Sequence, residues 1–485
     1  MTLILPLTPH PPHPAILIRT PYGSRHHLPE ARSWAARGFA AIVEDVRGRH
    51  GAEGEWHPYT GEAEDGAAAL RWIRAQPWSD GRVVTAGASY AAHCALAPLR
   101  SPAGGGAPDA VIAAVPALGP AETAREPSGV ERLLARAGWW AAHGDRPDSD
   151  PAALDRALAQ DPRLLEHLPL TRLPDRLGRA LPSWPVLWDA DRPARPEHPA
   201  RAALTPLLAV GGARDPFAAD TLGLWHGWPG PARLLLGPWG HGLTADPAPE
   251  ARPGHRIDLG ELYARWARAA LAGTLTPDRR GAVALGGAEH WHPADRPRRR
   301  RPWPFGHPRG LRLLHGGDFL ADPDHPVRSD RLDVPTHRAP DRALLLSEPL
   351  PRPLDLFGPA GARLRATADT PVADWFVRLI ALDARGRAEL LALGTARRAD
   401  PAARPAEFTV PLGPLARRIA AGSRLRLEIS GHHFPAHARN PHTGENPMTA
   451  TRLAPSRRSL DPAGGALLLP AGPGRRVDPV QEMCS

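Results

Sequence analysis

Apolar runs alternate with helical patterns over the first 120 residues of the chain. Short runs of apolar and β-branched side chains predict strands at 15–19, 39–44, 82–86 and 111–115. Between the second and third of these runs, segment 61–75 has apolar residues at helical spacing and predicts a helix. Strands that alternate with helices are typical of βαβ units around a parallel sheet. The pattern therefore predicts an α/β fold for this region.

The pattern changes after residue 120. Segment 121–203 has no strand-like run, whereas 130–142 and 151–168 show the spacing of amphipathic helices. Apolar runs of strand length return at 206–211 and 233–237. We therefore expect a helical cap that is inserted into an α/β core.

From residue 309 onward, short strand-like segments are separated by turns rich in Pro, Gly and Asp. Segments 354–357, 362–367 and 375–382 are examples. This spacing is typical of an all-β sandwich. The predicted domains are an α/β core in two parts (1–120 and 204–308), a helical cap insertion (121–203) and a β-sandwich (309–485).

Arginine supplies all the basic side chains of the chain. There are 60 of them and no lysine, and the formal net charge is +9. Without lysine, the chain has no P-loop lysine and no Schiff-base chemistry. The densest run, at 296–302, is either a nucleic-acid patch or a solvated linker. We favour the linker and expect no nucleic-acid partner, because no aromatic side chains that could stack on bases interrupt the run.

The chain lacks the sequence features of membrane and exported proteins. No segment approaches the ~18 consecutive apolar residues of a membrane span. The N-terminal apolar patch has no basic region before it, so no signal peptide is predicted. Cys94 and Cys484 do not make a disulfide framework. We therefore expect a cytoplasmic protein that is not associated with membranes.

A serine between a strand and a helix gives the first chemical signal. Gly87–Ala88–Ser89–Tyr90 follows the strand-like run at 82–86 and precedes a helix predicted at 91–99. Strand, sharp turn and helix, with a serine at the turn, is the arrangement of a nucleophile elbow. Such a turn exposes the serine oxygen, and the helix N-terminus offers N–H groups to an oxyanion. The segment predicts a serine hydrolase.

A serine nucleophile needs a base, and the base needs a carboxylate that orients it. In α/β-hydrolases the acid and the histidine follow the serine in that order, each after a strand. Asp215 and His241 both come just after strand-like runs and in this order. Asp220 competes with Asp215, and His226 competes with His241, although His226 falls within a predicted helix.

Several sequence blocks resemble the CocE/NonD family of serine hydrolases, which comprises esterases of the cocaine-esterase type and Xaa-Pro dipeptidyl-peptidases. The resemblance extends over nearly the whole chain. It rests on RTPY at 19–22, DVRGRHGAEGEW at 45–56, WIRAQPWSDGRV at 72–83, GASY at 87–90, ADWFVRL at 373–379 and FPAHARN at 434–440.

The resemblance implies an α/β-hydrolase core, a helical cap and a C-terminal jelly roll that is galactose-binding-like. It implies that Ser89 is the nucleophile, that His241 is the general base and acid, and that Asp215 orients His241. It also implies an oxyanion hole made by the hydroxyl of Tyr22 and the backbone N–H of Tyr90.

The chain departs from the family pattern at three places. Ala92 stands where the family usually has a glycine, and its methyl group would crowd the start of the helix or shift the serine. Few residues precede the strand predicted at 15–19, so either the sheet has lost the family's N-terminal edge strands or the gene start is set too late. Gly23 stands where relatives often have a polar residue, which would change the contacts to the substrate.

Other side chains allow two interpretations each. Asp45 and Arg47 could be catalytic, but a buried ion pair that fixes their loop is favoured. Trp139 and Trp140 could line an acyl pocket or pack the cap. Four histidines could form a metal site: His432, His433, His437 and His442. No acidic or cysteine ligand completes a recognised spacing with them, so we expect neither a metal nor another cofactor.

The sequence thus predicts a hydrolase that cleaves an ester or amide bond of a small substrate through an acyl-enzyme on Ser89. An Xaa-Pro dipeptidyl-peptidase is the alternative within this class. Such a peptidase needs acidic groups to hold a free substrate amine, and the sequence does not identify them. A further alternative is a catalytically weakened relative that binds a ligand through its β-sandwich, which the ordered Ser–Asp–His set disfavours.

Overall fold

A nine-stranded sheet lies at the centre of the first part of the chain. The computed structural model describes residues 1–7, 12–102, 104–189, 191, 202, 204–294, 299–333, 339–399 and 405–485. The strands of this part are β1 (Thr2–Ile4), β2 (His13–Thr20), β3 (Ala40–Asp45), β4 (Ser79–Ala88), β5 (Ala110–Ala114), β6 (Leu207–Gly212), β7 (Ala232–Gly237), β8 (Trp239–Gly240), β9 (Leu243–Pro247), β10 (Arg279–Ala284) and β11 (Trp291–Pro293).

The order across the sheet is β1-β3-β2-β4-β5-β6-β7-β10-β11, while β8 and β9 form a separate hairpin. Strands β3 to β10 in this order run parallel, and the edge strands β1 and β11 are antiparallel to their neighbours. Every residue of β5, β6 and β7 is buried. Parallel strands that are covered on both faces require such continuous apolar runs.

Helices cover both faces of this sheet. They are α1 (Leu28–Ala36), α2 (Glu62–Arg74), α3 (Tyr90–Leu96), α9 (Ala218–Gly227), α10 (Leu259–Leu271) and α11 (Pro479–Cys484). Apolar residues of α1, α10 and α11 pack on one face, and those of α2, α3 and α9 pack on the other. None of the helices in the described residues has the length and apolar character that crossing a bilayer requires.

Among the described residues between β5 and β6, five α-helices form the cap. They are α4 (Pro120–Ala124), α5 (Leu134–His143), α6 (Ala153–Gln160), α7 (Leu173–Leu177) and α8 (Ser183–Val186). The predicted helices at 130–142 and 151–168 correspond to α5 and α6, which are shorter than expected. The buried side chains of Trp140 and Trp184 lie in an apolar core that the cap shares with Phe434, Ala438 and Met448 of the C-terminal part.

The C-terminal part folds as two antiparallel sheets. Its strands are β12 (Arg300–Pro304), β13 (Arg312–His315), β14 (Asp318–Ala321), β15 (Arg342–Leu346), β16 (Leu354–Ala368), β17 (Ala373–Leu382), β18 (Ala388–Arg398), β19 (Ala406–Ile419), β20 (Arg424–Ser430), β21 (Ser456–Leu460) and β22 (Ala466–Pro470). One sheet has the order β12-β22-β16-β21-β14 with β19 also paired to β16, and the other has β13-β15-β20-β17-β18. A single apolar core contains side chains from both sheets.

The α/β core with a helical cap and an all-β C-terminal part confirms the predicted fold class. Three local predictions are wrong. The edge of the sheet is present, because β1 pairs with β3. The segments 354–357 and 362–367 are one strand, β16, in which the Gly–Pro–Ala–Gly sequence forms an irregularity at Ala360/Gly361 instead of a turn. The predicted linker at 296–302 overlaps β12, which pairs with β22, while residues 295–298 lie outside the described residues. The domain boundaries stay predictions.

The cap docks on the C-terminal sandwich through a network of charges. Arg397 of β18 makes two hydrogen bonds to Glu131 of the cap, at 2.9 and 2.7 Å, and two to Asp374 of β17, at 2.7 and 2.9 Å. The backbone adds a bond of 2.9 Å from the Leu133 N–H to the Ala436 carbonyl. Glu131 and Asp374 are buried, and the ion pairs with Arg397 compensate for the cost of removing their carboxylates from water.

Candidate active site

Ser89 occupies the turn between β4 and α3. Its φ of 59° and ψ of −122° are unfavourable for a residue with a side chain, and such conformations cost about 1–3 kcal/mol. Two hydrogen bonds hold the turn: the Ser89 N–H donates to the Ala114 carbonyl at 3.0 Å, and the Ala117 N–H donates to the Ser89 carbonyl at 3.2 Å. The turn is thereby fixed to the end of β5, and the serine side chain stays partly exposed.

The residues on either side of Ser89 allow the sharp turn. A Cβ atom on Gly87 would lie 2.3 Å from the Ala91 carbonyl, so a glycine is required at this position. The Ala92 N–H donates to the Ser89 carbonyl at 3.1 Å, and its methyl group packs in the buried cluster with Leu99. The helix begins directly after Ser89, and the expected effect of Ala92 on the position of the serine stays a prediction.

Asp215 and His241 lie at the ends of the neighbouring strands β6 and β7. His241 Nδ1 is 2.7 Å from Asp215 Oδ1, and the Asp215 side chain is fully buried. This contact requires a close approach of the two loops, since a Cβ atom on Gly212 would lie 2.2 Å from the Trp239 carbonyl. With Nδ1 protonated toward the carboxylate, Nε2 of His241 carries the lone pair of a base.

The Asp215 carboxylate is committed to His241. Its second oxygen, Oδ2, is buried and accepts no hydrogen bond from any described residue. The His241 ring is 43% exposed, and Phe217 packs edge-to-face against it with the ring centroids 5.6 Å apart. Asp220, the alternative to Asp215, lies 3.9 Å from Arg132. His226, the alternative to His241, lies within α9 and not after a strand.

The structure does not bring all predicted site residues into contact. No hydrogen bond joins His241 to Ser89, although the described residues include both. The hydroxyl of Tyr22 donates to Ser89 Oγ at 3.4 Å, and the Trp139 indole donates to the Tyr22 oxygen at 3.2 Å. Long or missing contacts between base and nucleophile are common in enzymes without substrate.

Tyr90 contributes its backbone and its side chain to different environments. The N–H of Tyr90 is at the first position of α3, where the helix itself supplies no acceptor. The phenol donates to Glu62 Oε1 at 3.1 Å and accepts from the Tyr59 N–H at 2.5 Å. Burial, with the neighbouring Glu62 carboxylate, raises the pKa of Tyr90 well above its usual value, so the phenol stays neutral.

The two neighbouring tryptophans of α5 lie in different environments. Trp139 stacks on Tyr90 with ring centroids 5.6 Å apart and planes 12° apart, and it contacts Tyr22. Trp140 is buried in the cap. Trp139 therefore lies at the site, and Trp140 packs the cap.

The buried arginine of the loop after β3 is not the one that the sequence predicts. Asp45 accepts hydrogen bonds from the backbone and the side chain of Ser24, at 2.6 and 2.9 Å, and Arg47 pairs with Asp65 on the surface. The predicted Asp45–Arg47 pair is therefore wrong. The buried arginine of this loop is Arg49, two residues further along the same sequence block.

Arg49 connects the site to the cap. Its guanidinium donates to the Pro21 carbonyl, next to Tyr22, at 2.9 Å, and to the Asp148 carbonyl and the Ser149 hydroxyl of the cap, both at 2.6 Å. It also lies over the Trp56 ring at 4.5 Å. Burial without a paired carboxylate lowers the pKa of Arg49 to about 10. This side chain fixes the backbone that carries Tyr22.

The four histidines of the suggested metal site lie in the C-terminal part, where His433, His437 and His442 make other polar contacts and His432 packs against the His442 ring. His437 Nε2 is 3.0 Å from Glu126 Oε1, and His437 Nδ1 is 3.2 Å from His433 Nδ1. His442 accepts from the Arg458 guanidinium at 3.0 Å. Within the described ranges, no group of three or more His, Cys, Asp or Glu side chains is arranged to hold a metal ion.

Comparison with known proteins identifies the family of this chain. Residues 1–243 match the family of X-Pro dipeptidyl-peptidases (S15 family), and residues 282–466 match the X-Pro dipeptidyl-peptidase C-terminal non-catalytic domain. A cocaine esterase from Rhodococcus sp. (strain MB1 Bresler) is 26% identical over 524 residues, which covers 89% of this chain and 88% of that protein.

Solved structures agree on the fold. An α-amino acid ester hydrolase superposes with a TM-score of 0.72 at 17% identity, over 96% of this chain and 93% of its own. A CocE/NonD family hydrolase from Staphylococcus aureus superposes with a TM-score of 0.59 at 13% identity, over 96% and 90%. The resemblance to the CocE/NonD family is confirmed.

The protein is a serine hydrolase with an α/β core and an all-β C-terminal domain. Within that class, the chain belongs to the X-Pro dipeptidyl-peptidase (S15) family.

Proposed function

We propose that this protein cleaves an ester or amide acyl bond of a small substrate through an acyl-enzyme on Ser89. The observation that supports this most directly is the 2.7 Å contact between Asp215 and His241, at strand ends on the same sheet edge as the elbow. A histidine oriented by a buried carboxylate can accept a proton through its other nitrogen, which is what a serine nucleophile requires.

In the first half of the reaction, His241 Nε2 takes the proton of Ser89 Oγ as this oxygen attacks the acyl carbon. The Tyr22 hydroxyl and the Tyr90 N–H donate to the oxyanion that forms. His241 then gives its proton to the leaving oxygen or nitrogen, the bond to the leaving group breaks, and the acyl group remains on Ser89. In the second half, a water loses a proton to His241 and attacks the acyl carbon. The bond from the acyl carbon to Ser89 Oγ then breaks, His241 returns the proton to Ser89 Oγ, and the carboxylic acid is released.

The charges near the site favour esters over peptides with a free amine. A dipeptidyl-peptidase must hold the substrate ammonium group with carboxylates. Two carboxylates near the site are already paired, Glu62 with Arg19 and Glu126 with Arg132. Because an ammonium group would find no free carboxylate in these pairs, we propose an ester as the natural substrate, with the Xaa-Pro peptidase as the alternative to be tested.

Replacing Ser89 tests the proposal. We expect Ser89→Ala to reduce kcat/KM for aryl esters by about 10⁴-fold or more, since the nucleophile and the base act as a unit. The measurement is hydrolysis of p-nitrophenyl acetate and butyrate beside Ala-Pro p-nitroanilide, with the wild type and the variant at equal concentration.

The relative rates on the esters and on the anilide distinguish an esterase from an Xaa-Pro peptidase. Faster Ser89-dependent turnover of the anilide than of the esters would favour the peptidase. Equal turnover by wild type and Ser89→Ala would contradict the mechanism. Mass spectrometry of the wild type with a slowly deacylating ester should show the acyl group on the peptide that contains Ser89.

A further inference from the structure

One arginine beside the site lacks the partners that every buried charge needs. Arg136 lies on α5 of the cap and is only 7% exposed. Its guanidinium makes no hydrogen bond and no ion pair with any described residue, and Nε is buried without an acceptor. Buried guanidinium groups are stable when a carboxylate or several carbonyl groups accept from them. Arg136 therefore has unused capacity to bind an anion.

A neighbouring arginine shows the contrast. The guanidinium groups of Arg132 and Arg136 lie over the same Phe217 ring, at 5.9 and 5.7 Å from its centroid. Arg132 donates to both oxygens of Glu126, at 3.0 and 2.9 Å. The fold thus neutralises one of the two cations and leaves the other without a counter-charge.

The position of Arg136 connects it with the reacting groups. Arg136 and His241 contact the same Phe217 ring, with the Arg136 guanidinium 5.7 Å and the His241 ring centroid 5.6 Å from the centroid of Phe217. Burial lowers the pKa of Arg136; the phenols of Tyr59 and Tyr22 partly offset this effect, and the neighbouring Arg132 adds to it. Tyr22 is the residue that donates to Ser89 Oγ.

The helix that carries Arg136 also faces the site. Trp139 follows Arg136 by three residues, and side chains at this spacing lie on the same side of a helix. Trp139 donates to the Tyr22 hydroxyl and stacks on Tyr90. Arg136 therefore lies on the side of α5 that is turned toward the elbow.

We infer that Arg136 binds a carboxylate group of the substrate, so that the preferred substrates are anionic esters or amides, such as half-esters of dicarboxylic acids. A guanidinium group binds a carboxylate through two parallel hydrogen bonds, which fixes orientation as well as charge. This inference rests on the proposed function and specifies its substrate class. The carboxylate belongs either to the acyl part or to the leaving group, and both place an anion near the reacting carbonyl.

Matched esters provide the test. The acyl series compares mono-p-nitrophenyl glutarate with p-nitrophenyl pentanoate, and the leaving-group series compares the acetyl esters of 4-hydroxybenzoate and of its methyl ester. We expect wild-type kcat/KM to be about 10- to 100-fold higher for the anionic member of one series, the range of a charge-assisted hydrogen bond. The series that shows the preference identifies the half of the substrate that carries the charge.

Variants link the preference to this side chain. In Arg136→Gln the ratio of anionic to neutral kcat/KM should fall by about the same 10- to 100-fold, and Arg136→Lys should recover part of it. Arg156→Gln is the matched control, because it removes an exposed cap arginine and should leave the ratio unchanged. Thermal unfolding monitors whether each variant folds.

A measurement on the wild type does not depend on the variants. Glutarate should inhibit the hydrolysis of p-nitrophenyl acetate competitively, at concentrations about tenfold lower than glutaramide. If the wild type hydrolyses neutral esters through Ser89 but shows neither the ester preference nor the difference between inhibitors, the inference is wrong and the proposed function stands. If no ester is hydrolysed in a Ser89-dependent way, the proposed function itself fails.

Discussion

At the scale of single residues, some side chains of the site could be predicted from the sequence and others could not. Ser89, Asp215 and His241 were predicted from local sequence, because each follows a strand-like run in a fixed order. Arg49 and Arg136 were not, because the environment of a buried arginine depends on partners far away in the chain. Arg49, for example, bonds to Ser149, 100 residues later.

The Tyr22 hydroxyl gives the first residue-scale prediction. We expect Tyr22→Phe to lower kcat by about 10²- to 10³-fold with little change in KM, because the lost donor acts on the oxyanion of the transition state. Steady-state kinetics on a neutral aryl ester provide the measurement. A kcat within twofold of the wild type would exclude Tyr22 as an oxyanion donor.

Tyr263→Phe is a matched control for the loss of a phenol. The Tyr263 hydroxyl is buried in α10 and has no hydrogen-bond partner among the described residues. Removing an unsatisfied hydroxyl should leave kcat unchanged, and we expect the free energy of unfolding to stay equal or rise by about 1 kcal/mol. Activity and denaturant unfolding, measured on the same samples, separate the two tyrosines.

At the scale of elements, strand and helix identities could be predicted better than their lengths. The core strands have continuous apolar runs because both faces are covered, and such runs are visible in the sequence. The sandwich strands β14 and β21 were missed, because short antiparallel strands with exposed residues have little apolar signal. The sequence predicts two strands in place of β16, because glycine and proline at a bulge are also typical of a turn.

The elbow gives a prediction at this scale. Gly87→Ala should destabilise the fold by about 1–3 kcal/mol and strongly reduce activity, because the new methyl group would overlap the Ala91 carbonyl and push α3 away from β4. Denaturant unfolding and ester hydrolysis provide the measurements.

Gly223→Ala is the control for this substitution. Gly223 lies in α9, and a Cβ atom there would meet no atom within 4 Å. We expect this variant to keep its activity and to gain about 0.5–1 kcal/mol of stability, as alanine does in a helix. If Gly87→Ala were as stable and active as Gly223→Ala, the turn would not need its glycine.

At the scale of the whole molecule, the packing of the cap, core and sandwich lies beyond what the sequence could predict. Glu131, Asp374 and Arg397 come from two separate regions, and no local pattern links them. Their burial depends on all three meeting, so this network is a property of the assembled fold.

Buried histidines predict how the stability of the molecule depends on pH. Burial lowers the pKa of His93 and of His442 to about 4 in the folded protein, against about 6.5 when unfolded. Between these values the unfolded chain binds more protons than the folded one, so stability is lost as pH falls from 6.5 toward 4. The loss is about 1.4 kcal/mol per pH unit for each histidine. Burial raises the pKa of Glu62, which opposes the trend, but two histidines outweigh one carboxyl group.

Denaturant unfolding at pH 7.0, 6.0 and 5.0 checks this expectation. The free energy of unfolding should fall at each step, and His442→Gln should reduce the slope, whereas the exposed His307→Gln should not. Stability that stays constant or increases from pH 7 to pH 5 would contradict it.

The contact between the cap and the sandwich also bears on how the protein is made. His437 reaches Glu126 across 311 residues of chain, and the cap backbone pairs with residue 436. During synthesis on the ribosome, the elbow emerges before the surface on which α5 rests, because that surface includes residues 435 and 436. Contacts of such long range form late in folding. We therefore expect the nascent chain to contain the elbow before it contains the sandwich surface that supports α5 and, with that helix, Trp139 and Arg136.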